Sequence, residues 1–393
     1  MQHRGVHLQY SFQPGGQRGA EVQNPLFDLL SALRAQGSIQ HAAQAMGASY
    51  RHVWGQLRHW EDVLGEPLVT WSQGQPARLT PFAERLLWAE ARARTRLTPH
   101  IEALRAELER VLAEALDGDQ QVLPVYASHD LALPALREWA ASAHRLHIEL
   151  KFTGSMDALR ALAEGRCVVA GFHVPMIEAP ADGHGPGDAR LFARGLKPLL
   201  KPGRHKLIGC MRRTQGLMVA KGNPLGLRDL IDLVPTPARA PRLVQRQDGS
   251  GTRLLLQHLL ARQGLDEARL SATTVTTEDS HMAVAASIAS GVADAGLGLE
   301  AAARAFGLGF VPLMEEDYFL VCLADALDHP AVLKLRQALT DRRFADTLAD
   351  LPGYAPAPEP GEVLSLTRAL PWWQFRHPKP GRAAGGGAAL DRR

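Results

Sequence analysis

From residue 122 onward the chain repeats one local arrangement four times: a short apolar run, a loop of Gly and hydroxyl residues, and the start of a helix-like segment. Val122–Ala127 leads into Ser128-His129-Asp130. His147–Phe152 leads into Thr153-Gly154-Ser155. Arg242–Arg246 leads into Asp248-Gly249-Ser250-Gly251-Thr252. Ala272–Thr276 leads into Thr277-Glu278-Asp279-Ser280-His281. Cys167–Phe172, ending at His173, and Ala293–Leu299 read as further buried strands. Alternating short strands and helices can bury their apolar faces only as an α/β sheet with helices packed on it. In such sheets ligands sit beyond the carboxyl ends of the strands. Each helix start there offers unpaired backbone N–H groups and a partial positive charge. Several of them converging make an anion site that needs few full cations. The candidate ligand residues are therefore Ser128, His129, Gly154, Ser155, His173, Arg246, Asp248, Gly249, Ser250, Gly251, Thr252, Arg253, Thr277, Ser280 and His281. Asp-Gly-Ser-Gly-Thr-Arg (248–253) is the best single candidate, with Arg246 or Arg253 to add charge. The competing reading of any one loop is ordinary helix capping; Tyr318 either closes the site or sits in the core.

Residues 24–116 have a different pattern, almost wholly helical. Asn24-Pro25 is an N-cap followed by Pro at the first helical position, and Leu26, Leu29, Leu30 and Leu33 share one face up to Gly37. Ser38 caps a second helix with Ile39, Ala42, Ala43 and Met46 inside. Gly47 makes a turn. Ser49 caps a third helix with Val53, Leu57, Trp60 and Leu64 inside. A short helix, a Gly-containing turn and a longer helix form a helix-turn-helix. Two short strand-like runs around Gly74-Gln75-Pro76 follow as a wing.

The outward side of the third helix carries Ser49, Tyr50, Arg51, His52, Arg58 and His59, with no acid between Ser49 and Trp60. Ser49, Tyr50 and Arg51, near the helix N-terminus, are expected at base edges; Arg58 and wing residue Arg78 are expected on the phosphate backbone, and His52 belongs to the same face. Net charge does not make this argument. Residues 24–80 hold four Arg and four acids; residues 363–393 hold six bases and one acid, and residues 1–362 hold 38 bases and 40 acids. The formal charge of +3 thus comes from the C-terminal stretch. A structural or protein-binding three-helix module is the alternative.

Leu97, Ile101, Leu104, Leu108, Val111 and Ala115 step by three and four, a helix-pairing seam. Thr98-Pro99 is expected to cap a new helix and introduce a kink. The expected organisation is a flexible arm (1–23), a winged helix-turn-helix (24–82), a linker and dimerisation helix (83–118), a two-lobed ligand domain (122–362) and a basic disordered tail (363–393). No run of about 18 apolar residues reads as a membrane span, and the N-terminus lacks the apolar core of a signal peptide, so a cytoplasmic location is expected. Cys167, Cys210 and Cys322 are far apart and without a CxxC, which argues for buried free thiols. No HxxxH pair accompanies the histidines, so no metal and no cofactor is expected.

The segment GSIQHAAQAMGASYRHVWGQLRHWEDVLGEPLV, with ARLTPFAERLL after it, resembles the winged helix-turn-helix of LysR-type regulators. The start of its third helix, Ser49-Tyr50-Arg51 with Trp54, is similar to that of the molybdate-responsive ModE-type regulators. GSMDALRALAEGRCVVAGFHVP, QRQDGSGTRLLLQHLL and TEDSHMAVAASIASGVADAGLGLEAAARAFGLGFVPL resemble the periplasmic-binding-protein-like domain of some cytoplasmic regulators and molybdopterin-biosynthesis proteins. The resemblance implies an α plus α/β chain: a winged helix-turn-helix and linker helix, then a type II binding-protein-like domain of two lobes joined by strands near 205–215 and 312–322. It implies a one-component regulator that is no enzyme, binds double-stranded operator DNA as a homodimer or tetramer through its linker helix, and senses a small anion. Molybdate or tungstate comes first among effectors, and a molybdopterin-type or other anionic metabolite second. An enzyme built on the lobes, or a DNA-binding architectural protein with a vestigial sensor, are the remaining alternatives.

Overall fold

The computed structural model describes residues 24–70, 77–116, 120–177, 190–237, 239–370 and 373. The N-terminal arm, the turn of the wing at 71–76 and residues 374–393 lie outside them. The chain divides into two compact units on either side of Glu102 and Ala103.

In the first unit three caps set three helices. The Asn24 side chain accepts from the Leu26 N–H and opens α1 (Pro25–Gln36). Ser38 accepts from His41 N–H and opens α2 (Ile39–Ala45). Ser49 accepts from His52 N–H and opens α3 (Tyr50–Leu64). Gly47, at φ +64°, takes the left-handed turn between α2 and α3 that a side chain would resist. Leu29, Leu33, Ile39, Ala42, Ala43, Val53 and Leu57 form the core; the two alanines leave room for the third helix. β1 (Val69–Thr70) and β2 (Arg78–Leu79) pair antiparallel as the base of the wing. Thr80 then accepts from Ala83 N–H at the start of α4 (Pro81–Leu116). Thr98 does not cap a new helix as expected: α4 runs through Pro99, and the Thr98 hydroxyl donates back to the Arg94 carbonyl.

The second unit follows as β3 (Gln121–Ser128), α5 (Leu133–His144), β4 (Leu146–Thr153), α6 (Ser155–Ala163), β5 (Val169–Pro175), α7 (Arg190–Leu196), β6 (His205–Val219), β7 (Leu243–Arg246), α8 (Gly251–Arg262), α9 (Glu267–Ser271), β8 (Thr274–Glu278), α10 (His281–Ala289), β9 (Ala295–Leu299), α11 (Glu300–Ala305), β10 (Gly309–Leu323), α12 (Pro330–Thr340), α13 (Arg342–Ala349), β11 (Tyr354–Pro356), β12 (Val363–Ser365) and α14 (Leu366–Ala369). Its sheet runs β4-β3-β5-β10-β6-β9-β7-β8, with β11 and β12 also on β6. β3, β4 and β5 form one parallel trio. β7, β8 and β9 form another. The two 15-residue strands β6 and β10 are antiparallel and shared by both lobes.

Register places the site. β5 runs antiparallel to the later half of β10 and ends with Pro175 opposite Glu316. β9 runs antiparallel to the later half of β6 and ends with Leu299 opposite Gln215. Both trios therefore end, carboxyl side first, at the middle of the crossing strands, where Arg213 stands opposite Glu316. The crossing strands lie where expected. The third strand starts and ends later than expected, so His173 sits inside β5. The first loop also differs: α5 begins at Leu133, after Asp130 has turned back to the backbone.

The C-terminal stretch is not a disordered tail from residue 363. Val363, Leu364 and Ser365 pair with Ile208, Leu207 and Lys206 of β6. Leu366, Leu370 and Trp373 are buried in the same cluster as Leu207 and Leu217. The Pro, Gly and Arg content that suggested disorder begins beyond this strap. Leu366→Ala removes a side chain that is 1 % exposed and is expected to cost about 2–5 kcal/mol. Urea unfolding measures it, and a cost near zero would place this segment off the fold.

Candidate functional site

The DNA-reading candidates share one exposed face. Ser49, Tyr50, Arg51, His52 and Arg58 are solvent-exposed on or at the start of α3, and Arg78 is exposed on β2. Val53 and Leu57 hold the opposite face in the core. Arg58 is engaged: it lies 4.8 Å from the Trp54 ring and 3.6 Å from Glu61. Glu61 in turn accepts from Leu68 N–H. The acid just past the cleared stretch thus reaches back to Arg58, which leaves Arg51 the cation nearest the helix start.

In the second unit the middle of the crossing strands is polar. The Arg213 guanidinium, 1 % exposed, donates from Nε to Glu316 (2.5 Å) and from Nη1 to Asp130 (2.6 Å). Asp130 also accepts from the Ala132 and Leu133 N–H groups and from the Tyr354 hydroxyl. Glu316 also accepts from His173 Nδ1 at 2.6 Å and from Gln215 Nε2 at 2.8 Å. Burial alone would raise the Glu316 carboxyl, but His173, Arg213 and the hydrogen bonds reverse that and hold it at about 2. Burial lowers the His173 imidazole; Glu316 pulls the other way and Arg213 adds to the lowering.

Around this floor stand the helix starts. Ser155 opens α6 with its hydroxyl buried and unpartnered. Ser250 caps α8, accepting from Arg253 N–H and donating to the Gln247 carbonyl. Ser280 caps α10 and places His281, 1 % exposed, at its first position. Gly154 and Gly249 bring the two lobes together: a Cβ on Gly154 would stand 2.8 Å from the Gly249 carbonyl oxygen, and one on Gly251 would collide with His173 Nε2. Arg246, 7 % exposed, donates from Nη2 to the Asp279 carbonyl, and its Nε is buried with no partner. Burial pushes Arg246 down to about 10, Asp279 opposing and Arg213 reinforcing; it stays charged at neutral pH. Arg213 Nη2, Gln215 Oε1, Asp279 Oδ1 and His281 Nδ1 are further buried atoms without partners among the described residues. A buried polar group left unpaired is costly, so an assembly of them marks where a ligand or ordered water belongs.

The structure thus brings together Gly154, Ser155, His173, Arg246, Gly249, Ser250, Gly251, Thr252, Ser280 and His281. It sends others elsewhere. The Asp248 side chain is 97 % exposed, and Arg253 turns to Glu267. Thr277 is exposed. The Ser128 hydroxyl donates to the Tyr318 hydroxyl, which donates to the Ser128 carbonyl, so Tyr318 is a floor residue and not a lid. His129 stacks near Phe152 and lies 6.5 Å, ring to ring, from His281. Asp130 faces inward, onto Arg213.

Sequence reasoning missed Arg213, Gln215 and Glu316. A signal was present: Arg212-Arg213 and Glu315-Glu316-Asp317 interrupt two runs already assigned to buried crossing strands. Among the described residues, no trio of His, Cys, Asp or Glu is gathered for a metal, and no helix is long and apolar enough to cross a membrane.

Because Glu316 is held near 2 in the fold, its contribution is full above the unfolded carboxyl value of about 4.3 and is lost as pH falls through about 2. Glu316→Ala is expected to cost about 3–5 kcal/mol at neutral pH, since it leaves Arg213 half-paired. Urea unfolding of both proteins at pH 7 and pH 3 tests this. The gap should narrow at pH 3; an equal gap at both would contradict an ionised buried Glu316.

Comparison with known proteins gives the following. Residues 136–340 match the PBP superfamily domain. Residues 26–84 match the bacterial regulatory helix-turn-helix protein, lysR family. The chain is 27% identical over 238 residues to the uncharacterized protein YvgK of Bacillus subtilis (strain 168), covering 61% of this chain and 72% of that one. Among solved structures it is similar to full-length BenM (14% identity, 83% of this chain and 96% of that one, TM-score 0.40). Another is the Corynebacterium glutamicum OxyR C206 mutant (17%, 83% and 94%, TM-score 0.39). A third is full-length CbnR in complex with its target DNA (17%, 81% and 99%, TM-score 0.40). The chain belongs to the PBP superfamily, with a LysR-type regulatory helix-turn-helix ahead of its PBP-like domain.

Proposed function

We propose that this protein controls transcription by binding operator DNA through α3 and its wing and by sensing a small anion in the cleft between its lobes. A lysR-family regulatory module joined to a PBP-like domain is the arrangement of a ligand-responsive transcription regulator. The observation that carries the anion reading is Arg246: a buried guanidinium whose Nε has no partner among the described residues, and which bonds the Asp279 carbonyl while the nearby Asp279 carboxylate forms no ion pair with it. The starts of α6, α8 and α10 stand beside it and add N–H groups and partial positive charge.

In this reading residues 24–82 read DNA and residues 83–118 pair the protomers. Leu104 and Val111 support that pairing, since they are 48% and 52% exposed on α4 within one chain. From residue 122 onward the chain senses the effector. Ligand-driven closure of the lobes changes the spacing of the two DNA-reading helices in a dimer or tetramer. Molybdate or tungstate is the first effector class, on the strength of the resemblance. A molybdopterin-type or other anionic metabolite is the second, and one observation favours it: Gln215 Oε1 is a buried acceptor with no donor, and Glu316 prevents the amide from flipping. A ligand N–H or O–H would satisfy it.

Thermal unfolding with sodium molybdate or tungstate tests the cleft. Wild type is expected to gain about 2.7 kcal/mol at a hundred times Kd. Arg246→Met, checked by circular dichroism to retain the fold, is expected to lose the shift. If neither oxyanion stabilises wild type, mass spectrometry of the co-purified ligand decides for the metabolite or against both. For DNA, Arg51→Ala should abolish binding to sequences selected by wild type while the ligand shift persists. Unchanged affinity would remove α3 from the interface.

A further inference from the structure

We propose that the cleft selects an anion that carries a hydrogen of its own, an O–H or N–H donor beside its acceptor oxygens, over an anion that only accepts. This rests on reading the cleft as an anion site. Within that reading it orders the ligands: hydrogen phosphate and organic anions with a donor come ahead of sulfate, molybdate and tungstate.

Two buried acceptors without donors carry this. The first is Gln215 Oε1. Gln215 is fully buried and stands opposite Leu299, at the carboxyl end of β9. Its Nε2 donates to Glu316 Oε2 at 2.8 Å and to Thr252 Oγ1, in the first turn of α8, at 3.2 Å. A carboxylate has no hydrogen to give, so the amide is held in this orientation and Oε1 stays an acceptor. The second is Asp279 Oδ1, in the connection from β8 to α10. Asp279 is tied to Arg246 through its backbone, where Arg246 Nη2 donates to the Asp279 carbonyl at 2.5 Å.

Arg246 Nε thus lacks an acceptor and Asp279 Oδ1 lacks a donor, although the two residues are bonded to each other. One ligand group serves both: a hydroxyl takes the Arg246 N–H on its oxygen and gives its hydrogen to the carboxylate. A bare oxyanion serves only the first. It sets its oxygens against Asp279 and Gln215 Oε1 with no hydrogen between them, which adds like-charge repulsion to acceptors left unsatisfied. The Ser155 hydroxyl does not discriminate, since it both gives and accepts. An ordered water between Arg246 and Asp279 makes the same two bonds and is the competing occupant.

Isothermal titration of the full chain at neutral pH and matched ionic strength tests this, with sodium phosphate, sodium sulfate and sodium molybdate as probes. Phosphate then keeps at least one hydrogen, and sulfate and molybdate keep none. Phosphate should bind at least about tenfold tighter than either, because a hydrogen bond to a charged group replaces an unsatisfied acceptor. Asp279→Asn keeps the size of the side chain and presents an N–H. There phosphate should lose affinity, sulfate should gain, and their ratio should fall about tenfold. The wild-type series stands by itself if that variant fails to fold. Equal binding of phosphate and sulfate, or tighter binding of sulfate or molybdate, overturns the requirement for a donor and leaves the anion reading intact; water then bridges Arg246 and Asp279. A preference that persists in Asp279→Asn overturns the assignment to Asp279. Absence of both heat and a shift in thermal unfolding with all three probes overturns the oxyanion reading, and this inference with it.

Discussion

The ion pairs of Arg213 with Asp130 and Glu316 are what the PBP-like domain is built around. All three side chains are essentially without solvent. Taking such charges out of water costs several kcal/mol each, recovered only when every group is bonded in good geometry. Here the bonding extends through Asp130 to the start of α5 and to Tyr354 on β11, and through Glu316 to His173 and Gln215. One guanidinium thereby fixes the loop after β3, the middle of both crossing strands, a strand of one lobe and β11. A purely apolar hinge would have packed as well, but it would not have held polar atoms facing a cleft.

The local architecture was legible because it is written in short-range chemistry. Asn24, Ser38 and Ser49 cap the helices where their positions indicate. Gly154, Ser250 and Ser280 mark the starts of α6, α8 and α10. The candidate site was legible only in part, since those starts say where N–H groups gather and not which side chains converge. Asp248 and Arg253 follow the same motif as Ser250 and Gly251, yet the turn of the helix sends them outward. Arg213 and Glu316 lie about a hundred positions apart. They meet because two long strands pair in one register, a non-local fact that composition does not carry. The C-terminal strap was hidden for a related reason: Leu364, Leu366 and Leu370 are apolar without a sustained period, and β6 supplies the rest of their burial.

Under the proposed function, the same non-locality explains how a nearly neutral chain would recognise two anionic partners. The proposed DNA face depends on where acids are absent, as between Ser49 and Trp60. The cleft depends on where carboxylates are already used, as Asp130 and Glu316 are by Arg213. In neither place does net charge measure the potential a ligand meets, because the charges that would cancel it are spent on internal bonds or displaced along the helix.

The proposed sensor needs its ligand to prefer one state, and the orphaned atoms would supply that preference. In an opened cleft water would reach Arg246 Nε, Ser155 Oγ and Gln215 Oε1. With the loops of Gly154 and Gly249 in contact they are buried and unbonded. Closing without ligand therefore costs about 1–3 kcal/mol for each such group, and a ligand that bonds to them returns that cost only in the closed state. The preference for closure is then set by how many of these groups a ligand satisfies. A ligand meeting two or three gains about the 5.5 kcal/mol that reverses a two-state population from nearly all open to nearly all closed. Selectivity and switching would then be one property of the cleft: an ion pairing with Arg246 alone would bind without closing it.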